Sequence, residues 1–371
     1  MERVRADSIY DIGFWRAGAS VYLFPVLIMK RLIKRLIGFI ALILTIGIIL
    51  NFFLPESKYW GNREYNWKIK QYKKDKYNAV LFGTSRIYRG INPLILDSLI
   101  NQDINNQLIK SYNLATHASW LNESLYLYDQ FLEDTILSGG IKTVFMEYQN
   151  VMSINPRKLT DEKIIYYQNA SHYKFIMEYS IYEILREPKK IITSLYSIGA
   201  FSLVTFVNLT NLKRVSTKIY TKDLQEYESI NERGYLGFNE LVQGQGTTST
   251  GIRTFTDNIH LYLHKTPVNY NPIYFNKMTE LIDKSNKKGI KLIFILPPVR
   301  LTEGMMAVFN NLPSSNKIEL CDPDTFPQLY KVENWIDPLH LNTRGASYLT
   351  VYLSEGINAL PKELCASSPE K

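Results

Sequence analysis

Cysteine is scarce in this chain. Its two cysteines, Cys321 and Cys365, lack the close spacing of a metal knuckle, which excludes a cysteine-built metal site. Outside the cytoplasm they either pair or remain free thiols. Histidine is scarce too, with five in the chain. His260 and His264 lie four apart, which would place two ligands on one helix face. No third ligand or glutamate accompanies them, and "IHLYLH" alternates more like a strand, so no metal is expected. There is no internal repeat, no low-complexity block and no nucleic-acid-binding motif. Lys and Arg outnumber Asp and Glu by 43 to 35, for a net charge of +8. The basic residues are scattered or near the N-terminus, and suit an anionic membrane surface or glycan better than nucleic acid. Apolar residues make up 46% and charged residues 21% of 371, enough for one large domain, or one domain with an elaborate insertion.

One long uncharged run stands out. Leu36 to Leu54, "LIGFIALILTIGIILNFFL", is about the length that crosses a bilayer. The basic cluster "MKRLIKR" (Met29 to Arg35) precedes it. Positive charge stays on the cytoplasmic side, so the N-terminus is expected inside and the rest outside, although Lys68, Lys70, Lys73 and Lys74 follow the run. No small-residue cleavage signal follows, so the run reads as an uncleaved signal anchor. Residues 1–35 are then a cytoplasmic tail, either real or extended upstream of a start at Met29. Residues 55–76 read as a solvated basic linker.

The outer part alternates strands and helices. "YNAVLFG", "KSYNLA", "KTVFMEY", "IKLIFILPP" and "KIELCD" predict five strands. Trp120 to Leu137 carries apolar residues at helical spacing. "PIYFNKMTELIDKSNKKG" predicts an amphipathic helix ending at Gly289. Arg344 to Asn358 predicts a closing helix with Thr343 as N-cap. This order predicts an α/β fold: three layers around a mainly parallel five-stranded, flavodoxin-like sheet, with one N-terminal transmembrane helix. The domain divides into 77–150 and 269–360, a tyrosine-rich insertion or lid at 151–268, and a flexible tail at 361–371. "GQGTTSTG" (Gly244 to Gly251) reads as a flexible loop. Ile191 to Leu209 is long enough to tempt a second span. It reads instead as a segment folded over the active site or lying along the membrane surface, because a single crossing would separate the two halves of the domain. His172 reads as a surface residue.

Sites in such sheets lie beyond the carboxyl ends of the strands. There "VLFGTSRIYRG" (80–90) sets Ser85 just after the first strand. Near the C-terminus, "NWIDPLHLNTRGASYL" sets Asp337 three residues before His340. That spacing lets a carboxylate orient an imidazole, whose other nitrogen can accept a serine proton. The order Ser85, Asp337, His340 departs from the G-x-S-x-G elbow.

The chain resembles the SGNH/GDSL hydrolase superfamily over about 78–150 and 270–356. More narrowly, "FGTSRIYRGINP" and "DPLHLNTRGA" look like membrane-anchored SGNH proteins that act beside cell-envelope acyl-transfer systems. The resemblance implies Ser85 as nucleophile, His340 as general base and Asp337 as its orienter. It implies no cofactor. Oxyanion-hole candidates are Ser85, Ala115, Thr116, His117 and Asn150. Substrate contacts are Arg86 and His117, though Arg86 is equally a structural residue and His117 equally a packed one. Three departures stand: Thr84 where the superfamily has Asp, "NLATHASW" without the second-block glycine, and "EYQN" in place of Gly-x-Asn-Asp. The implied function is an extracytoplasmic esterase or O-acyltransferase on acylated, chiefly O-acetylated, envelope polysaccharide. Its partners would be the glycan, the lipid bilayer and a multi-span membrane acyltransferase. The alternative is a non-catalytic binding or assembly subunit of a polysaccharide modification or export complex.

Overall fold

The computed structural model describes residues 11–53, 59–102, 108–151, 161–210, 214, 230–231, 233–237, 249–263, 265 and 270–360. Strands β1 (Ala79–Phe82), β2 (Ser111–Asn113), β3 (Thr143–Glu147), β4 (Lys291–Leu296) and β5 (Lys317–Glu319) form one parallel sheet in the order 2-1-3-4-5. Every residue of β1 is buried, as are Val144 to Glu147 and Leu292 to Leu296. A sheet covered on both faces has no solvent side to demand polar alternation, so its strands read as unbroken apolar runs. The chain leaves β1 toward one edge and later resumes on its other side with β3. The crevice beyond the carboxyl ends of β1 and β3 is therefore the switch point, where such sheets place their ligands.

The predicted helices form with altered ends. The stretch expected as one helix from Trp120 to Leu137 is two, Leu121–Glu133 and Thr135–Ser138. Asp134 between them leaves helical geometry at ψ 98°, and its side chain accepts from the Ile136 and Leu137 amides. The amphipathic helix runs Pro272–Asn286, and Gly289 turns the chain into β4 at φ 69°, a conformation that costs a glycine little. The closing helix is Thr343–Asn358. Its N-cap is Asn342 rather than Thr343, because the Asn342 side chain reaches the Gly345 amide at 3.0 Å.

The basic linker differs most from expectation. Arg63–Tyr72 is a helix capped by Asn62, and Tyr65, Lys68, Ile69 and Tyr72 are buried against the domain. Their spacing is that of one helix face, hidden in the sequence among Lys70, Lys73, Lys74 and Lys76, which are exposed. Residues 55–58 of that linker lie outside the described residues. The insertion contributes helices Glu162–Tyr167, Ala170–Arg186, Ile191–Leu209 and Ser249–Leu263. Ile259 to Leu263 of "IHLYLH" belong to the last of these, so the strand-like alternation is overridden by burial of Ile252, Phe255 and Ile259 on one helical face. The "GQGTTSTG" loop is described only from Ser249, where that helix begins; residues 244–248, His264, Cys365 and the 361–371 tail lie outside the described residues.

Ahead of the domain, Asp11–Phe53 is one helix. Its Ile28–Leu50 stretch, of mean hydropathy 2.3, is long and apolar enough to cross a membrane. Leu32, Phe39 and Ile48 stand exposed along it. This helix fits a signal sequence or a single membrane anchor. Leu54, the expected end of the anchor, and residues 1–10 lie outside the described residues.

Asn113, at the end of β2, ties the layers together beneath the site. Its amide nitrogen donates to the carbonyls of Ile87 (3.0 Å) and Ile91 (3.1 Å), and its carbonyl accepts from Ala115 N (3.1 Å). The residue is fully buried, so a missing partner there is not replaced by water. Asn113→Ala is expected to destabilise the detergent-solubilised full chain by about 2–4 kcal/mol, since each orphaned buried group costs roughly 1–3. Urea unfolding should show this as a lower midpoint at unchanged slope.

Candidate active site

At the end of β1 the chain turns from strand to helix in three residues. Gly83 is there because a larger residue would not fit. A Cβ on it would lie 2.6 Å from Ile87 Cγ1 and 2.8 Å from both Cβ and Oε2 of Glu147. That close approach lets the buried Glu147 carboxylate accept from the Thr84 amide at 2.6 Å and from Arg86 Nε at 2.7 Å. Thr84 then caps the helix Ser85–Gly90, its hydroxyl accepting from Arg86 N. The turn is thus pinned from below on both sides of Ser85. Ser85 is the first helical residue, where no preceding turn of helix accepts its N–H.

The partner comes from the far end of the chain. Trp335–Asp337 (β6) and His340–Leu341 (β7) form a small antiparallel hairpin that pairs Asp337 with His340 across the Pro338–Leu339 turn. Cross-strand neighbours present their side chains on one face, which is what the three-residue spacing means physically. Asp337 Oδ1 also accepts from Leu339 N at 2.7 Å, locking the turn. The closing helix that follows packs on the serine helix. Thr350 Oγ1 accepts from Asn92 N at 3.1 Å, and a Cβ on Gly90 would touch Leu349.

These two anchorages bring the three predicted residues together. Ser85 Oγ lies 2.7 Å from His340 Nε2, and His340 Nδ1 lies 2.7 Å from Asp337 Oδ2 and 2.9 Å from Oδ1. An ionised carboxylate only accepts, so Nδ1 carries the proton and Nε2 accepts from the serine hydroxyl. A hydroxyl in such a relay can lose its proton as it attacks an electrophile. His340 is mostly buried and Asp337 about one-third exposed.

The expected oxyanion donors are placed less simply. Ala115 N donates to Asn113 Oδ1, Thr116 N to Gly83 O at 3.1 Å, and His117 N to Glu64 Oε2 at 2.7 Å. All three amides are therefore engaged within the protein. Asn150 stands at the same edge of the sheet, after β3, and is half-buried. Arg86 turns its Nε to Glu147, so at least part of its guanidinium is structural. The His117 ring is exposed on its loop, and its pKa is lowered by partial burial, an effect that nearby Arg89, Lys163 and His340 add to and Glu64 opposes. His172 was expected at the surface. It is buried in the Ala170–Arg186 helix against Tyr167 and Phe175, and burial pushes its pKa down to about 3. Among the described residues no group of three or more His, Cys, Asp or Glu could hold a metal ion.

Several residues that shape the site gave little warning. Glu147 had a usable signal, a carboxylate inside an otherwise apolar strand. Glu64, Lys68 and Lys163 had none: they stand among other charges, and only the folded chain shows Glu64 buried, Lys163 bonded to His117 O, and Lys68 bonded to Ala115 O with its ammonium 3.7 Å from the centre of the Tyr88 ring. No family model, no curated protein and no solved structure matches this chain.

Lys68 is fully buried, and burial pushes its pKa down to about 7, with Glu64 opposing. The unfolded chain therefore holds a proton on this group up to about pH 10.4 that the folded chain releases near 7. Stability should rise with pH across that window, because the unfolded state binds more protons there. Lys68→Met should flatten the rise between pH 7 and 9. Urea midpoints of the two proteins at the two pH values give the measurement; equal slopes would contradict the prediction.

Proposed function

We propose that this protein is a membrane-anchored serine esterase or O-acyltransferase of the SGNH type, with its α/β domain outside the cytoplasm. The observation that carries the reading is the continuous relay from Ser85 Oγ through His340 to Asp337. Its support is positional as well. The serine follows the first strand, the Asp-x-x-His pair closes the domain, and both meet at the switch point of a 2-1-3-4-5 sheet. The basic cluster Met29 to Arg35, ahead of the uncharged run from Leu36 within the N-terminal helix, supports the orientation.

In this mechanism Ser85 Oγ attacks the carbonyl carbon of an ester while His340 Nε2 takes the hydroxyl proton. The tetrahedral intermediate collapses, the C–O bond to the alcohol breaks, and His340 returns the proton to the leaving oxygen. Asp337 stabilises the imidazolium throughout. The acyl group is then an ester of Ser85. Water or a sugar hydroxyl, deprotonated by the same imidazole, releases it as acid or as a new ester. Ser85 N–H, beside the reacting oxygen, is one oxyanion donor, and Asn150 is the side-chain candidate for a second. No cofactor enters this chemistry. Acylated envelope polysaccharide is the substrate class, and a multi-span membrane protein is the acyl source where transfer rather than hydrolysis occurs. The engaged amides of Ala115, Thr116 and His117 favour the second reading, a non-catalytic subunit of a polysaccharide modification or export complex.

A fluorophosphonate probe separates the two. The detergent-solubilised full chain should label, and Ser85→Ala should not. Absence of labelling in the wild type selects the non-catalytic subunit. If the chain labels, Asp337→Asn should retain the fold and lower acetate release from acetylated glycan by about 10⁴-fold, the loss expected when the imidazole is held in the wrong tautomer.

A further inference from the structure

The Ile191–Leu209 helix is apolar on two faces: Ala200, Phe201 and Val204 are buried against the domain, and a second set of large aliphatic residues faces outward. Ser194 and Ser197 face inward and are buried, whereas Ile192 is 79% exposed, Leu195 55% and Leu203 53%. These positions are three, eight and eleven residues apart, which keeps them on one stripe along the helix. A surface helix in water buries its large aliphatic residues and shows its hydroxyls. Hydrocarbon reverses that preference, and lipid-bathed helices turn small and hydroxyl residues toward their packing partners. The inward serines help line a cavity of about 180 Å³ beside the neighbouring Ala170–Arg186 helix, with Val151, Ile176, Tyr179 and Phe201. That neighbour adds Ile181 and Leu185, also exposed, near the same end of the hairpin.

The N-terminal helix shows what covers the stripe. At Gly47 a Cβ would lie 2.3 Å from the backbone oxygen of Thr210, so the Ile191–Leu209 helix ends directly against the apolar helix. Gly47 is three residues short of Leu50, the end of the apolar stretch. At 1.5 Å per residue that contact lies about 5 Å inside the apolar boundary. The exposed stripe is therefore continuous, through a backbone contact, with a helix whose own exposed face is Leu, Ile and Phe. At the hairpin turn, Arg186 and Lys189 are exposed and suit anionic headgroups. A full crossing is excluded, because Ser85 and His340 flank this helix in the chain and bond to each other.

We propose that the Ile191–Leu209 helix is a second membrane contact that does not cross, seated in one leaflet with Ile192, Leu195 and Leu203 against lipid acyl chains. The inference rests on the reading of the N-terminal helix as a membrane anchor and not on the catalytic reading. It fixes the domain at two points, which holds the Asn150–Val151 edge of the site near the bilayer and suits a substrate or acyl donor delivered from the membrane.

The test uses the full chain with Cys365→Ser, Cys321 being buried. Single substitutions Ile192→Cys, Leu195→Cys and Leu203→Cys carry an environment-sensitive fluorophore. Ile37→Cys serves as the anchor control, and Lys288→Cys as the solvent control. Each protein is reconstituted in phosphatidylcholine–phosphatidylglycerol vesicles with or without brominated acyl chains. The proposal expects blue-shifted emission and loss of most fluorescence in brominated vesicles at 192, 195 and 203 as at 37, with 288 quenched only by aqueous iodide. Quenching by iodide alone at the three positions, with 37 still quenched by bromine, overturns the proposal and leaves the anchor intact. Shielding from both quenchers means a protein surface covers the stripe, which also overturns it. Failure at 37 as well removes both the anchor reading and the proposal.

Discussion

A hydrogen bond between side chains 255 residues apart governs this molecule. At 2.7 Å it tolerates almost no drift at either end, so Ser85 is fixed to the sheet and His340 to a hairpin whose following helix packs on the serine helix. Ser85 is fixed by Glu147, which grips the backbone before it and the side chain after it from the adjacent strand. His340 is fixed by its pairing with Asp337 and by the closing helix packed on the serine helix. Neither anchorage includes the other residue. The geometry is therefore built before any ligand arrives, the condition under which a relay costs no reorganisation at the moment of reaction.

The proposed membrane face and the relay constrain one another. Because the chain before and after the Ile191–Leu209 helix must meet in one pocket, that helix cannot separate them across a bilayer, whatever its hydropathy. Its composition alone satisfies the requirements of a span. The pattern of burial, with Ser194, Ser197, Phe201 and Val204 inward and Ile192, Leu195 and Leu203 outward, needs only that one side meet hydrocarbon. A helix docked edge-on to a domain and set into one leaflet meets both demands.

β1, β3 and β4 were legible because burial on both faces leaves short apolar runs, whereas β2 (Ser111–Asn113) and the edge strand β5 (Lys317–Glu319) were legible mainly from their place in the alternation with helices. The Asp337–His340 pair was legible because three-residue spacing across a proline-containing turn is a hairpin's own spacing. Ser85 was legible from its place after the first strand. What escaped were long-range charge partnerships. Lys68 looks like its neighbours Lys70 and Lys73 until the Tyr65–Ile69–Tyr72 face is docked, and only then is its ammonium enclosed. His172 escaped for a similar reason: a lone histidine reads as a surface residue, whereas its neighbours Tyr167 and Phe175 enclose it.

The loop after β2 decides how an oxyanion could be held. Its backbone is tied by charged groups from several directions: Glu64 takes the His117 amide, Lys163 the His117 carbonyl and Lys68 the Ala115 carbonyl. Opening the His117 amide toward a substrate would break a hydrogen bond to a charged, buried acceptor, at about 1.5–3 kcal/mol. A donor gained for the oxyanion contributes about 3 kcal/mol. The exchange comes out near even, so rearranging this loop would add little to the proposed catalysis. Ala115 and Thr116 are held by neutral acceptors, but those acceptors, Asn113 and the Gly83 carbonyl, also brace the serine turn, and releasing them would loosen Ser85 itself. Oxyanion stabilisation that leaves the relay intact has to come from the Ser85 amide, which no helical turn precedes, and from side chains at the mouth of the crevice. That requirement places the His117 ring and Asn150, rather than the loop's backbone, at the centre of the question of activity.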